Sequence, residues 1–311
     1  MWSGASALAS VEVSSSGRKA TDPREGRVEA NGIDFAFLEA GAGPLALCLH
    51  GFPDSAHTWR HLLPELAGAG FRAVAPFMRG YAPSALASDG RYELGALVAD
   101  TVALHESLGG DERAVLIGSD WGGEAAYGAA AMAPGRWRRL VTIGVPPAAL
   151  DERIFSDYEQ IRRSFYLFFM KTPRAEAVIA ADEMGFLDRL WGDWSPGHDA
   201  GEDLARVKAC LREPENLAAA VAYYRSDEPG LYGGGRESPY RAEEEALLSV
   251  APQPTLYLHG ERDGCIGVEL VRDAEGHLAR GSRMEVIAGS GHFPQVERPA
   301  AVNELILDWI A

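Results

Sequence analysis

The chain has 311 residues, with 45 Asp+Glu against 29 Lys+Arg and a net charge of −16. That acidic balance tells against nucleic acid and anionic membrane surfaces as partners, and the length suits one large α/β domain with an insertion, or two domains. Cys48, Cys210 and Cys265 are too few and too scattered for a disulfide framework or a metal-binding pattern, so a reducing compartment is expected. No apolar run reaches membrane-spanning length and "MWSGASALAS" lacks a basic leader segment, so the chain reads as cytoplasmic.

Residues 1–24, rich in Ser, Ala and Gly, read as a loose tail. From residue 27, "RVEANGIDFAFLEA" alternates around Asn31-Gly32, which predicts two antiparallel strands joined by a tight turn. "PLALCLHG" (44–51) is a continuous apolar run closed by glycine, the pattern of a buried parallel strand. "FRAVAPF" (71–77), "RAVLIG" (113–118), "RRLVTIG" (138–144), "TLYLHG" (255–260) and "MEVIAG" (284–289) repeat it, with helical segments predicted at 59–68, 94–108, 122–132 and 298–310. This alternation implies a mostly parallel sheet with helices on both faces. Between Val145 and about Val250 the rhythm stops, and the aromatic runs "YEQIRRSFYLFFMK" and "ENLAAAVAYYRSD" predict helices over the carboxyl ends of the strands. The "GGGR" at 233–236 neither follows a strand nor opens a helix, so it reads as a flexible lid loop rather than a phosphate cradle. The domain reading is a tail over 1–24, a core from 25–146 and 247–311, and a helical cap over 147–246.

The segment "AVLIGSDWGGEAAYGAA" goes strand, tight turn, helix, with Gly118, Gly122 and Gly123 around the turn. Asp120 stands at its centre and Ser119 one position away; Asp120 could also be a simple helix N-cap. An aspartate is already ionised at neutral pH and needs no base to attack. On an sp³ carbon it forms an ester, which water can cleave, whereas serine would form an inert ether. Hydrolysis of that ester needs a base, a group that orients the base, and donors for an oxyanion. Of eight histidines, only His292, in "AGSGHFPQVERP", combines a loop after the last strand with a following helix that could pack it. His57, His61, His105, His198 and His277 read as surface or helix residues, and His259, at a strand end, as structural. Asp263 in "LHGERDGC" follows the preceding strand and is the orienting acid, or else a turn-forming aspartate. The backbone N–H groups of Phe52 and Trp121 are the expected oxyanion donors.

"HGFP" (50–53), "RGYAPS" (79–84), "DWGG" (120–123), Asp263 and "GHF" (291–293) together resemble the α/β-hydrolase superfamily and, within it, the epoxide hydrolase family. The resemblance covers about residues 27–311 and implies an eight-stranded, mostly parallel sheet with helices on both faces and an inserted helical cap. It places His50, Gly51 and Pro53 in a supporting loop and implies a reaction without cofactor or metal. Two cap tyrosines would donate to the epoxide oxygen: Tyr166, in "FYLFFMKTP", and Tyr224, in "YYRS"; otherwise both are packing aromatics. Neighbours on a helix diverge by about 100°, so Tyr223 cannot share the site with Tyr224. Phe77 departs from the family, which commonly has an aspartate at that place. The expected partners are a small hydrophobic epoxide and water, in a monomer or homodimer. Haloalkane or haloacid dehalogenases use the same aspartate and base, and a non-catalytic ligand-binding protein is a third reading.

Overall fold

A computed structural model describes residues 21–225 and 238–311. The glycine-rich 233–236 segment and most of the proposed tail lie outside the described residues. Eight strands, β1 (Arg24–Ala30), β2 (Ile33–Gly41), β3 (Leu45–Leu49), β4 (Arg72–Pro76), β5 (Val115–Ser119), β6 (Arg139–Ile143), β7 (Thr255–Gly260) and β8 (Arg283–Ile287), form one sheet ordered β1-β2-β4-β3-β5-β6-β7-β8. Arg24, assigned to the tail, already pairs with Glu39 in the sheet.

Asn31 and Gly32 both take positive φ, 45° and 71°, as a two-residue hairpin requires, and β1 and β2 pair antiparallel across them. β2 runs antiparallel to β4, and every other neighbouring pair is parallel. β3, β5 and β7 are buried along their whole length, which is why they read as unbroken apolar runs. Helices Leu94–Ser107 and Trp121–Met132 pack against each other beside the sheet, and Pro299–Ile310 lies against β6 and β7. No helix among the described residues is long and apolar enough to cross a membrane.

Two predicted helices are broken. Residues 59–68 form a 3₁₀ segment Ala56–His61 and a helix Leu63–Gly68 whose first turn holds Pro64. Proline lacks the N–H that would continue an earlier helix, so it starts a new one. "YEQIRRSFYLFF" forms Tyr158–Arg163 and Phe165–Phe169, interrupted at Ser164. Beside the break, the Gln160 amide donates to Ser164 Oγ (2.9 Å) and to the Cys265 carbonyl (2.7 Å), and its Oε1 accepts from Gly267 N–H (2.9 Å). This buried side chain ties the cap to the loop after β7.

The cap is a set of helices between β6 and β7, from Asp151–Ser156 to Pro214–Ala222. A further helix, Arg241–Leu247, lies on the core helices instead. Side chains at Gly95 and Gly128 would run into Tyr240 and Leu247 respectively, so that helix is seated directly on the two core helices.

Candidate active site

β5 ends at Ser119, and Asp120 follows with φ 51° and ψ −126° before the helix Trp121–Met132 begins. A non-glycine residue in that conformation costs roughly 1–3 kcal/mol. The cost is offset by backbone anchors: Asp120 N–H donates to Ile143 O (3.1 Å), and Asp120 O accepts from Gly123 N–H (2.7 Å) and Glu124 N–H (3.1 Å). The Asp120 side chain makes no cap hydrogen bond to its helix. Its Oδ1 instead accepts from the Phe52 N–H at 2.7 Å, which disfavours the simple N-cap role. Ser119 is buried and turned away, 3.4 Å from the Gln295 amide.

Gly51 lets that contact form, because a Cβ there would overlap the Asp120 carboxylate. Gly51→Ala should therefore lower stability by about 1–3 kcal/mol and displace Asp120. Thermal unfolding and turnover measured together check this; a variant with the parent's values would show that the loop yields. His50 supports the same loop. Burial holds its pKa down to about 4, and the neutral ring accepts from Met78 N–H at 3.0 Å. Pro53 O accepts from the Trp191 indole N–H of the cap (2.8 Å). Phe77 is buried against His57 (5.4 Å between rings), and its carbonyl accepts from Ser84 Oγ–H (2.6 Å). The "RGY" loop is thus held without a carboxylate at 77. Its Arg79 is fully buried and pairs with both oxygens of Asp100, at 2.6 and 2.7 Å.

His292 and Asp263 meet beneath the cap. His292 Nδ1 lies 2.9 Å from Asp263 Oδ2, and Nε2 lies 3.5 Å from Asp120 Oδ2, an ion-pair distance that is long for a hydrogen bond. The other oxygen of Asp263 accepts from the N–H groups of Cys265 (2.7 Å) and Ile266 (2.9 Å). Asp263 therefore both forms the turn and holds the imidazole. Burial opposes charge on both groups, but Asp263 and Asp120 together raise the His292 pKa, and His292 lowers that of Asp263. His259 contacts Tyr257 Oη (2.7 Å) and Ile266 O (3.0 Å), and its Nε2 lies 3.6 Å from Asp263 Oδ2.

The sequence did not reveal what holds the base loop. His292 N–H donates to Trp194 O (3.0 Å) and Ser195 Oγ (3.1 Å), both from the cap side. Glu297 accepts from Gly291 N–H (2.8 Å), Phe293 N–H (3.2 Å) and Ser195 Oγ–H (2.7 Å). Trp191 stacks on Phe293 with 3.8 Å between ring centres. An acidic residue a few positions beyond "GHF" was the only available hint.

Tyr166 and Tyr224 line a cavity with Asp120 and Trp121, their rings 5.9 Å apart. Tyr166 Oη is 3.2 Å from Cys265 Sγ, and Tyr224 packs edge-on against Phe52 (5.3 Å) and Trp121 (5.1 Å). Burial foremost raises both phenol pKa values well above the ordinary one, so both keep their protons. Tyr223 faces the other way and donates to Arg79 O (2.8 Å). The free space at the site is about 40 Å³, room for water-sized occupants, so an organic ligand must shift cap side chains as it enters. Ligand atoms of Asp263, Cys265 and His292 lie within 4.8 Å of one another. However, the imidazole already holds Asp263, and burial pushes the Cys265 thiol well above its ordinary pKa. That donor set suits a hydrogen-bonded triad better than a thiolate metal site.

A profile of the alpha/beta hydrolase fold matches residues 44–299. An epoxide hydrolase of Caballeronia sordidicola is 30% identical over 92% of this chain and 93% of its own. Epoxide hydrolase 4 of Mus musculus is 31% identical over 90% of this chain and 77% of its own. Among solved structures, an epoxide hydrolase from an endophytic Streptomyces superposes with a TM-score of 0.74 at 28% identity, covering 93% of this chain and 95% of that one. With an aspartate at the elbow, this chain belongs to the α/β-hydrolase superfamily and, within it, to the epoxide hydrolase family.

Proposed function

We propose that this protein converts an epoxide and water to a vicinal diol through a covalent ester on Asp120. The observation that carries the reading is the division of labour in one carboxylate. Oδ1 is held by the Phe52 N–H, while Oδ2 is left toward His292, with Tyr166 and Tyr224 lining the same cavity. Oδ2 attacks an epoxide carbon and the ring C–O bond breaks. The developing alkoxide takes a hydrogen bond, then a proton, from the phenols. Ester formation removes the Asp120 charge that helps keep His292 protonated, so the imidazole pKa falls; the imidazole gives its proton to the tyrosinate left by ring opening and becomes a base. His292 Nε2 then takes a proton from water, whose oxygen adds to the Asp120 carbonyl carbon. The Phe52 N–H stabilises the resulting oxyanion, joined in the proposal by the Trp121 N–H. Collapse of that intermediate passes the second proton of the water to the departing ester oxygen, which releases the diol and leaves the carboxylate and the protonated imidazole as they began. A division into a helical cap and a core, with the stretch from Arg241 onward counted with the core rather than within a cap over 147–246, belongs to this same proposal, as does a reaction without metal or cofactor.

The discriminating experiment is a panel of epoxides and alkyl halides, with diol and halide ion both measured. Diol without halide release is expected. Halide release with no diol from any epoxide would make the protein a dehalogenase, a reading the two facing phenols disfavour because a halide leaves without a proton. Tyr166→Phe and Tyr224→Phe should each slow single-turnover ring opening by ~2–4 kcal/mol of barrier, and the double variant should nearly stop it. Unchanged ring opening in both single variants would leave the tyrosines as packing residues.

A further inference from the structure

We propose that Cys265 is a positioning residue for Tyr166: its thiol turns the phenol O–H toward the substrate and steadies the tyrosinate that forms when the epoxide ring opens. This rests on the epoxide-opening reading above and deepens it. Cys265 Sγ lies 3.2 Å from Tyr166 Oη, and both side chains are buried in the wall of the cavity that holds Asp120. The thiol is offered from a fixed place. The Cys265 N–H donates to Asp263 Oδ1 (2.7 Å), and the Cys265 carbonyl accepts from the Gln160 amide (2.7 Å). The acid that orients His292 thus grips this residue from one side, and the cap grips it from the other. The Tyr166 ring is seated edge-on against Trp194, with 4.8 Å between ring centres. Among the described residues, the thiol is the hydrogen-bond partner of the Tyr166 hydroxyl.

A phenol and a thiol can each donate or accept, so the pair can be written two ways. Burial foremost raises both pKa values well above the ordinary ones, so both protons are present. With the phenol donating to sulfur, its proton is turned away from the cavity. With the thiol donating to Oη, the phenol proton is free to point at an epoxide oxygen. Sulfur is a weak acceptor and an epoxide oxygen a better one, so a bound epoxide selects the second arrangement. As the ring C–O bond breaks, the phenol proton passes to the alkoxide oxygen and the negative charge moves to Oη. The S–H···O bond then becomes charge-assisted. It strengthens as the charge develops, so it lowers the barrier rather than only tightening binding. The proton on sulfur stays there throughout, and the contact relaxes when Tyr166 regains its own.

A double-mutant cycle tests this. Cys265→Val removes the thiol while keeping bulk, and Cys265→Ser keeps a donor; each is made in the parent and in Tyr166→Phe. Single-turnover ring opening and ester hydrolysis are measured separately, on the epoxide that the parent opens fastest in the panel above. Cys265→Val should slow ring opening by about tenfold, the low end for a hydrogen bond to a charged group, and the loss should fall on that step rather than on hydrolysis. Cys265→Ser should recover most of the rate. In the Tyr166→Phe background, Cys265→Val should change ring opening by less than about twofold, because its partner oxygen is gone. If Cys265→Val does not fold, Cys265→Ala carries the same comparison. Equal slowing with and without the Tyr166 hydroxyl, or no slowing at all, would overturn the role of Cys265 and leave the epoxide reading standing. A parent that opens no epoxide in the panel would overturn that reading, and this inference with it.

Discussion

In the His292→Gln variant, one equivalent of epoxide should add to the protein and stay there. Attack by Asp120 needs no base, and its Oδ1 contact with Phe52 N–H does not involve His292. Only the second step needs a proton acceptor, and Nε2 of His292 is the basic atom placed 3.5 Å from Asp120 Oδ2. Loss of a general base slows the step it serves by ~10²–10⁴, so the ester should outlast the assay. Intact-protein mass spectrometry should show a gain of one substrate mass, mapping to the peptide that holds Asp120. Asp263→Asn should give a milder version, because the imidazole stays but loses its 2.9 Å orienting contact. In the parent enzyme the same adduct should accumulate as the pH falls, because Asp263 still raises the imidazole pKa after the Asp120 charge is lost and a protonated ring is no base, and it should disappear as the pH rises. A folded His292 variant that binds epoxide and never forms the adduct would point to direct hydration by water.

Asp120→Ala should lose ring opening by a factor of roughly 10⁶, the scale seen when a catalytic nucleophile is removed. Ser119→Ala should stay within about threefold of the parent, a difference of ~0.7 kcal/mol. The contrast follows from one residue of offset. Asp120 is held at positive φ beside the cavity, whereas the Ser119 hydroxyl is turned back toward Gln295, away from it. The alanine variant keeps the backbone hydrogen bonds that anchor residue 120, and circular dichroism with a melting curve checks that it folds. Activity lost in Ser119→Ala and kept in Asp120→Ala would make the protein a serine hydrolase.

Some of this was legible in the residues and some was not. The strands were, because burial on both faces writes itself as unbroken apolar runs such as "LALCL". The elbow was too, since few arrangements need glycines at 118, 122 and 123 around an acid. The cap was harder. Periodicity gave helices, but not the buried contacts of Gln160 with Cys265 and Gly267, more than a hundred positions away, that tie the cap to the core. The helix Arg241–Leu247 has no local mark that assigns it to the core helices. Tyr166 and Tyr224 came from resemblance alone, because their run is aromatic on every side.

The carbonyl of Trp194 has a consequence for how this enzyme can change over time. It belongs to the cap helix Gly185–Trp194, yet it accepts from His292 N–H and from Gly264 N–H (3.1 Å), next to Asp263. The loops that carry His292 and Asp263 are thus spliced onto the inserted segment by main-chain bonds, which no side-chain substitution can supply or replace. Exchange of the insert for one from a relative would strip both donors of their acceptor unless the newcomer ended a helix at the same height. Recombination should therefore succeed when the crossover carries the 185–195 stretch together with the 263–264 and 291–297 loops, and fail when it cuts between them. The insert and the loops of Asp263 and His292 should therefore travel as one block.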